Sequence, residues 1–175
     1  MTYRWIYTPP KEFSKIILES DGEYLTKLVF DNSKDINKLS KDAKKEYIKV
    51  FIDTCKWLDE YFKGNNPPIT IKYKVENVTE FTKKVIDCIK EIPYGKTITY
   101  KGIANKLNCK SYQAIGSAVG KNPICIIIPC HRVLGKNNIG GFSGGINNKI
   151  NLLKKEKIKI DFKTKNILTN TKIYT

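Results

Sequence analysis

The run Asn65-Asn66-Pro67-Pro68 constrains this chain more than any other stretch. Two consecutive prolines remove amide donors and push the preceding residues out of the helical region, so neither a helix nor a central strand can cross it. The chain must therefore fold as elements gathered on either side. Upstream, Lys15–Ser20 and Glu23–Phe30 are β-rich runs across Asp21-Gly22, the signature of a hairpin. Ser40 then precedes Ala43, Tyr47, Phe51, Cys55, Leu58 and Phe62, a spacing that predicts one long amphipathic helix stopped by Gly64. Ile69–Val75 reads as extended. Residues 1–76 are thus expected to form a supporting α+β domain, a small antiparallel sheet against one long helix, with nothing in it that looks catalytic.

Residues 77–175 read differently. Thr79–Glu91 is helical, with Phe81, Val85, Ile89 and Ile92 on one face, and Pro93-Tyr94-Gly95 stops it. Thr99 can cap a helix through Leu107, and Ser111 a second through about Lys121, separated by a turn at Asn108–Lys110. Helix pairs with short turns are common, so the pattern suggests a helix-turn-helix without establishing one. Charge adds weight to it. Residues 1–78 hold 14 basic and 12 acidic groups, whereas residues 79–175 hold 18 and 5. Between Glu91 and Glu156 lie 64 residues without a carboxylate, carrying nine lysines and Arg132. A lysine-rich genome would load both halves alike, so the asymmetry points to a polyanion partner for the second half.

Other classes are set aside by composition. No apolar run approaches a membrane span of roughly 18 residues, and the first residues lack the apolar core of a signal peptide. Five cysteines without paired spacing make no disulfide framework, so a reducing, cytoplasmic setting is expected, in which any important cysteine acts as a thiol. One histidine and no C-x-x-C motif predict no metal site.

The chemistry-bearing residues follow Ile124–Ile128, which reads as a buried strand delivering Pro129-Cys130-His131-Arg132-Val133. Only a thiolate is strongly nucleophilic, so Cys130 needs a base or a cation, which His131 and Arg132 can supply. Neighbours in extended chain point apart, so the proton would pass through a water. Glu156, the first carboxylate after the long gap, can orient the imidazole. A buried cysteine beside a strand-capping histidine is the alternative, and the pair alone does not decide.

The wider string does. Asn122-Pro123, then Ile128-Pro129-Cys130-His131-Arg132-Val133, preceded by Ile92-Pro93-Tyr94-Gly95-Lys96-Thr97 and followed by Phe142-Ser143-Gly144-Gly145, resembles the O6-alkylguanine-DNA alkyltransferases from about Phe81 to Glu156. The resemblance implies a winged-helix-like DNA-binding domain and direct repair of O6-alkylguanine, and of O4-alkylthymine, in double-stranded DNA. It implies base flipping and irreversible, single-turnover transfer to Cys130 by a monomer without cofactor. By match, Cys130, His131 and Glu156 form the relay. Tyr100 crowds the flipped phosphate and bonds the base N3. Carbonyls of Cys130 and Val133 take the exocyclic amine, the Ser143 amide faces O6, and Asn122 braces the cysteine segment. Thr82, Lys101 and Asn108 stand where the family touches the DNA backbone. The second helix would enter the minor groove, where Gly116, Ala118 and Gly120 permit close approach.

The chain departs from the family in two places. The family's arginine-alanine-valine-glycine stretch reads Gln113-Ala114-Ile115-Gly116, so the residue that enters the stack lacks charge. Phe142 stands where many members have tyrosine. The zinc of some members has no ligand set here.

Overall fold

The computed structural model describes residues 1–161 and the backbone of 166–167, and it divides into two compact units. The tail of the expected second domain, residues 162–165 and 168–175, lies outside the described residues. No helix among those described is long and apolar enough to cross a membrane.

The first unit comprises Met1–Glu76 and Pro123–Ile127. Strands β1 (Tyr3–Tyr7), β2 (Ile16–Ser20), β3 (Leu25–Phe30) and β4 (Lys44–Lys45) form a sheet in the order β3-β2-β1-β4. The β2–β3 hairpin is antiparallel and pairs Ile16 with Phe30, as its turn sequence requires. β1 adds antiparallel to β2, and the two-residue β4 runs parallel to β1. Helix α1 (Lys49–Phe62) buries Phe51, Cys55, Leu58 and Phe62 with Trp57 and Tyr61, each apolar side chain contributing about 1.5–3 kcal/mol. Phe62 stacks on Tyr7 of β1, whose hydroxyl donates to Asp59. α1 ends in a Schellman motif. Gly64 takes φ +93°, its amide bonds the Tyr61 carbonyl, and the Asn65 amide reaches Glu60.

Two expectations fail here for physical reasons. The helix starts at Lys49, not after Ser40, because tertiary partners claim the intervening backbone. The Ser40 amide donates to buried Glu19, the Ser40 carbonyl accepts from Arg4, and Lys44 pairs with Thr2. Ile124–Ile128 is not a strand. Ile124 makes a single bridge to Leu28, and the chain then turns with Ile126 at φ +71°, a costly conformation for a β-branched residue. Ile69–Val75 is extended but joins the sheet through one bridge, Tyr73 to Leu25.

The second unit comprises Asn77–Asn122 and Ile128–Thr175. Helices α2 (Glu80–Lys90), α3 (Tyr100–Lys106) and α4 (Tyr112–Val119) pack through Val85, Ile86, Ile89, Ile103, Ala104, Ile115, Ala118 and Val119. Each helix begins as the sequence predicts. The hydroxyls of Thr79, Thr99 and Ser111 accept from the amides of Thr82, Gly102 and Ala114. Between α3 and α4, Asn108 takes φ +51° and the Cys109 amide returns to Ala104, giving the tight turn of a helix-turn-helix. Strands β5 (Ile98–Thr99) and β6 (Val133–Leu134) pair in parallel, and α5 (Ile146–Lys155) follows. β7 (Ile160–Asp161) and β8 (Asn166–Ile167) make a final antiparallel pair. Leu134, Ile139, Leu153, Ile158 and Ile160 form the core beneath this end.

Thr99→Ala deletes the acceptor for Gly102 at the start of α3. It is expected to cost about 1 kcal/mol and to lower the melting temperature by about 2–4 °C, while Thr99→Asp stays near wild type. Calorimetry of the two variants checks this.

Candidate active site

Pro129 leads into a single turn of 3-10 helix, Cys130–Arg132, and Val133 continues as β6. All three residues of the turn are buried. Asn122 fixes where this turn begins: its buried amide group donates to the Ile128 carbonyl at 2.8 Å, closing the ends of the 123–127 excursion. The five cysteines of the chain are thiols.

Behind Cys130 lies a buried charge cluster centred on Glu156, at the end of α5. Its carboxylate meets His131 Nε2 at 2.5 Å, Arg132 Nε at 2.8 Å and Nη2 at 3.1 Å, and the Gly95 amide at 3.0 Å. The third arm of Arg132 donates to the Ile92 carbonyl at 2.7 Å. Arg132 therefore clamps Glu156, a role that the sequence did not suggest. Burial alone would raise the Glu156 carboxyl, but His131 and Arg132 outweigh it and hold the group well below the ordinary carboxylate range. Burial also depresses the His131 imidazole, against the pull of Glu156, and we take it as neutral. A neutral ring beside an ionised carboxylate puts its proton on Nε2 and leaves Nδ1 as acceptor. That Nδ1 is buried and has no hydrogen-bond partner among the described residues.

The β5–β6 pairing sets Ile98 beside Val133 and Thr99 beside Leu134, so Tyr100 starts α3 next to the cysteine segment. Burial, with a smaller effect of Cys130, raises the Tyr100 phenol, which stays a hydrogen-bond donor, and the Gly141 amide bonds its oxygen. Gly140, at φ +79°, leaves room for that hydroxyl, since a Cβ there would lie 2.9 Å from it. Sequence reasoning missed Lys149. It falls on the inward stripe of α5 with Leu152 and Leu153 and is fully buried, donating to Val133 O at 2.6 Å and Gly141 O at 2.9 Å. Burial pushes its ammonium down to about 8, partly offset by Cys130. A lysine inside an apolar stripe was the available signal.

The remaining expected residues are placed as follows. The Val133 carbonyl accepts from Lys149, and the Cys130 carbonyl accepts from the Val133 amide. Ser143 is half-buried in the loop before α5, beside Phe142. Lys101, Asn108 and Gln113 are exposed. Thr82 is 2% exposed and its amide and hydroxyl meet the Thr79 hydroxyl at the start of α2.

Glu156→Ala strands the buried Arg132 guanidinium and the Gly95 amide, and is expected to cost about 3–5 kcal/mol in denaturant unfolding. Stability should also decline in acid. His131 is depressed, so the unfolded chain takes a proton the folded one refuses as pH drops through 6.5. Glu156 is depressed too, so its contribution is full above 4.5 and is lost toward its lower folded value. A flat stability profile between pH 7 and 4 would contradict this arrangement.

Comparison with known proteins accords with this geometry. The family profile of the 6-O-methylguanine DNA methyltransferase DNA-binding domain matches residues 80–158. The methylated-DNA–protein-cysteine methyltransferase of Methanocaldococcus jannaschii is 51% identical over 90 residues, 51% of this chain and 53% of that protein. The chain thus spans about half the length of that relative, and likewise 51% of the one from Methanocaldococcus vulcanius. The protein of the same description from Haemophilus influenzae is 37% identical over 161 residues, 90% of this chain and 89% of its own. Among solved structures, Mycobacterium tuberculosis O6-methylguanine methyltransferase superposes with a TM-score of 0.78 at 30% identity, covering 90% of this chain and 93% of that one. The Mycobacterium tuberculosis OGT structure in complex with DNA gives 0.79 at 29%, covering 89% and 92%. On this evidence the chain belongs to the methylated-DNA–protein-cysteine methyltransferases.

Proposed function

We propose that this protein repairs DNA by moving an alkyl group from O6 of guanine, and from O4 of thymine, to Sγ of Cys130, once per molecule. The observation that carries the reading is the buried run Cys130, His131 and Glu156, in which His131 Nε2 meets Glu156 and Nδ1 has no hydrogen-bond partner among the described residues. The Cys130 proton passes through one water to Nδ1, and the imidazolium is held by Glu156. The thiolate attacks the alkyl carbon, the S–C bond forms and the C–O6 bond breaks, its electrons going to the purine. A hydrogen bond from the Tyr100 hydroxyl to N3 stabilises that charge, and the relay proton returns to the base. The product thioether is not hydrolysed, so there is no turnover.

In-line attack cannot reach a stacked base, so the nucleotide is flipped from the duplex before transfer. The carbonyls of Cys130 and Val133 suit the exocyclic amine, and the Ser143 amide suits O6. Lys101 and Asn108 suit phosphates, and the exposed lysines of this unit supply salt-dependent affinity without base readout.

Intact-protein mass spectrometry after mixing with an O6-methylguanine duplex should show one added methyl group on Cys130. Cys130→Ala and Cys130→Ser should abolish it and keep DNA binding. Multiple turnovers would exclude the reading. Gln113 can hydrogen-bond an orphaned cytosine but brings no cation, so Gln113→Arg is expected to raise the duplex repair rate and leave reaction with free O6-alkylguanine unchanged.

A further inference from the structure

The outer face of α4 is built from small side chains except for two residues at its start. Ile115, Ala118 and Val119 point inward, while Gly116, Ser117 and Gly120 lie on the outer side. At the start of that face stand Tyr112 and Gln113, both exposed. Tyr112 is 50% exposed, and it is the one large apolar side chain so exposed among the described residues of the second unit. Helical spacing puts it one turn from Gly116 on the same face, about 5–6 Å away. Gly116 in turn faces the ring of Tyr100, with 3.8 Å from a Cβ there to the nearest ring carbon. Tyr112 is thus one helical turn from the glycine that faces Tyr100. Lys110 and Lys121 are exposed at either end of the helix, and no carboxylate occurs between Glu91 and Glu156 to repel a phosphate chain.

We infer that Tyr112 is a stacking wedge, inserted into the base stack beside the damaged nucleotide to hold the duplex open. The inference rests on the base-flipping reading above. A flipped nucleotide leaves a gap whose neighbours lose their stacking partner. Minor-groove proteins fill such gaps with apolar side chains, and an aromatic ring on a base offsets the lost stacking. The small residues that follow Tyr112 let the groove floor approach the helix, so a single large ring projecting from one end reaches deepest. Gln113 beside it can satisfy the orphaned base by hydrogen bonding, a task the ring does not perform. The two residues divide the work: Tyr112 stacks and Gln113 bonds.

The test compares alkyl transfer from an O6-methylguanine duplex with transfer from the free O6-alkylguanine base. Tyr112→Ala should slow the duplex reaction on the order of tenfold or more, with the free-base rate unchanged. Tyr112→Phe and Tyr112→Trp should stay within about threefold of wild type, since the ring carries the effect. The inference is overturned if Tyr112→Ala repairs duplex at the wild-type rate, if it slows both substrates equally, or if Tyr112→Phe is as slow as Tyr112→Ala. Wild-type protein that takes no alkyl group from either substrate overturns the repair reading itself, and this one with it.

Discussion

The buried carboxylate of Glu156 accepts from His131, twice from Arg132 and once from the Gly95 amide, and the second unit is arranged around that point. One oxygen pair ties together the end of α5, the turn bearing the nucleophile and the loop after α2. Arg132 extends the tie to the Ile92 carbonyl and lies over the ring of Tyr94. A charge withdrawn from water is tolerable only with this degree of pairing, and removal of either partner leaves the other unpaired. The same bonds orient the imidazole and set its tautomer. The contacts that support the turn are the same ones that the proposed activation uses.

Around this centre the backbone does most of the positioning. Asn122 closes the excursion that precedes the cysteine turn, and the two-residue β5–β6 pairing brings Tyr100 beside the segment that follows it. Lys149 then draws Val133 and Gly141 together from inside α5. A buried lysine held by two neutral carbonyls leaves a positive charge close to Cys130, which favours the thiolate state. These are short-range devices: strands of two residues, one 3-10 turn and single side chains, each over-determined by neighbours. Their collective effect is a site whose groups are set before substrate arrives, as preorganised electrostatics requires.

The exposed helix-turn-helix surface has a different economy. Its lysines are mobile point charges suited to phosphates, and they carry no information about bases. For the proposed reaction, discrimination would come from access, because Cys130 is buried and only an extrahelical base would reach it. The small outer face of α4 and its two long residues at one end therefore matter more for recognition than the size of the positive charge.

Much of this was legible in the residues themselves. Local rules settled the hairpin at Asp21-Gly22, the stop at Gly64 and the three hydroxyl caps at Thr79, Thr99 and Ser111, because each depends on bonds within a few positions. The Pro129–Val133 string marked Cys130 as the candidate nucleophile through its resemblance to a known family, not through local bonding. What depends on partners distant in sequence was not legible. α1 begins nine residues after Ser40 because Glu19, Arg4 and Thr2 hold the backbone between them. Ile124–Ile128 looks like a strand but turns, since Asn122 joins Ile128 across it. Arg132 turned toward Glu156, Thr82 folded inward, and Lys149 entered the core, all choices made by burial and ion pairing. The sequence determined which groups can react and where helices start; only the tertiary structure decided which charges are paired, because pairing a buried ion requires partners that the linear order does not bring together.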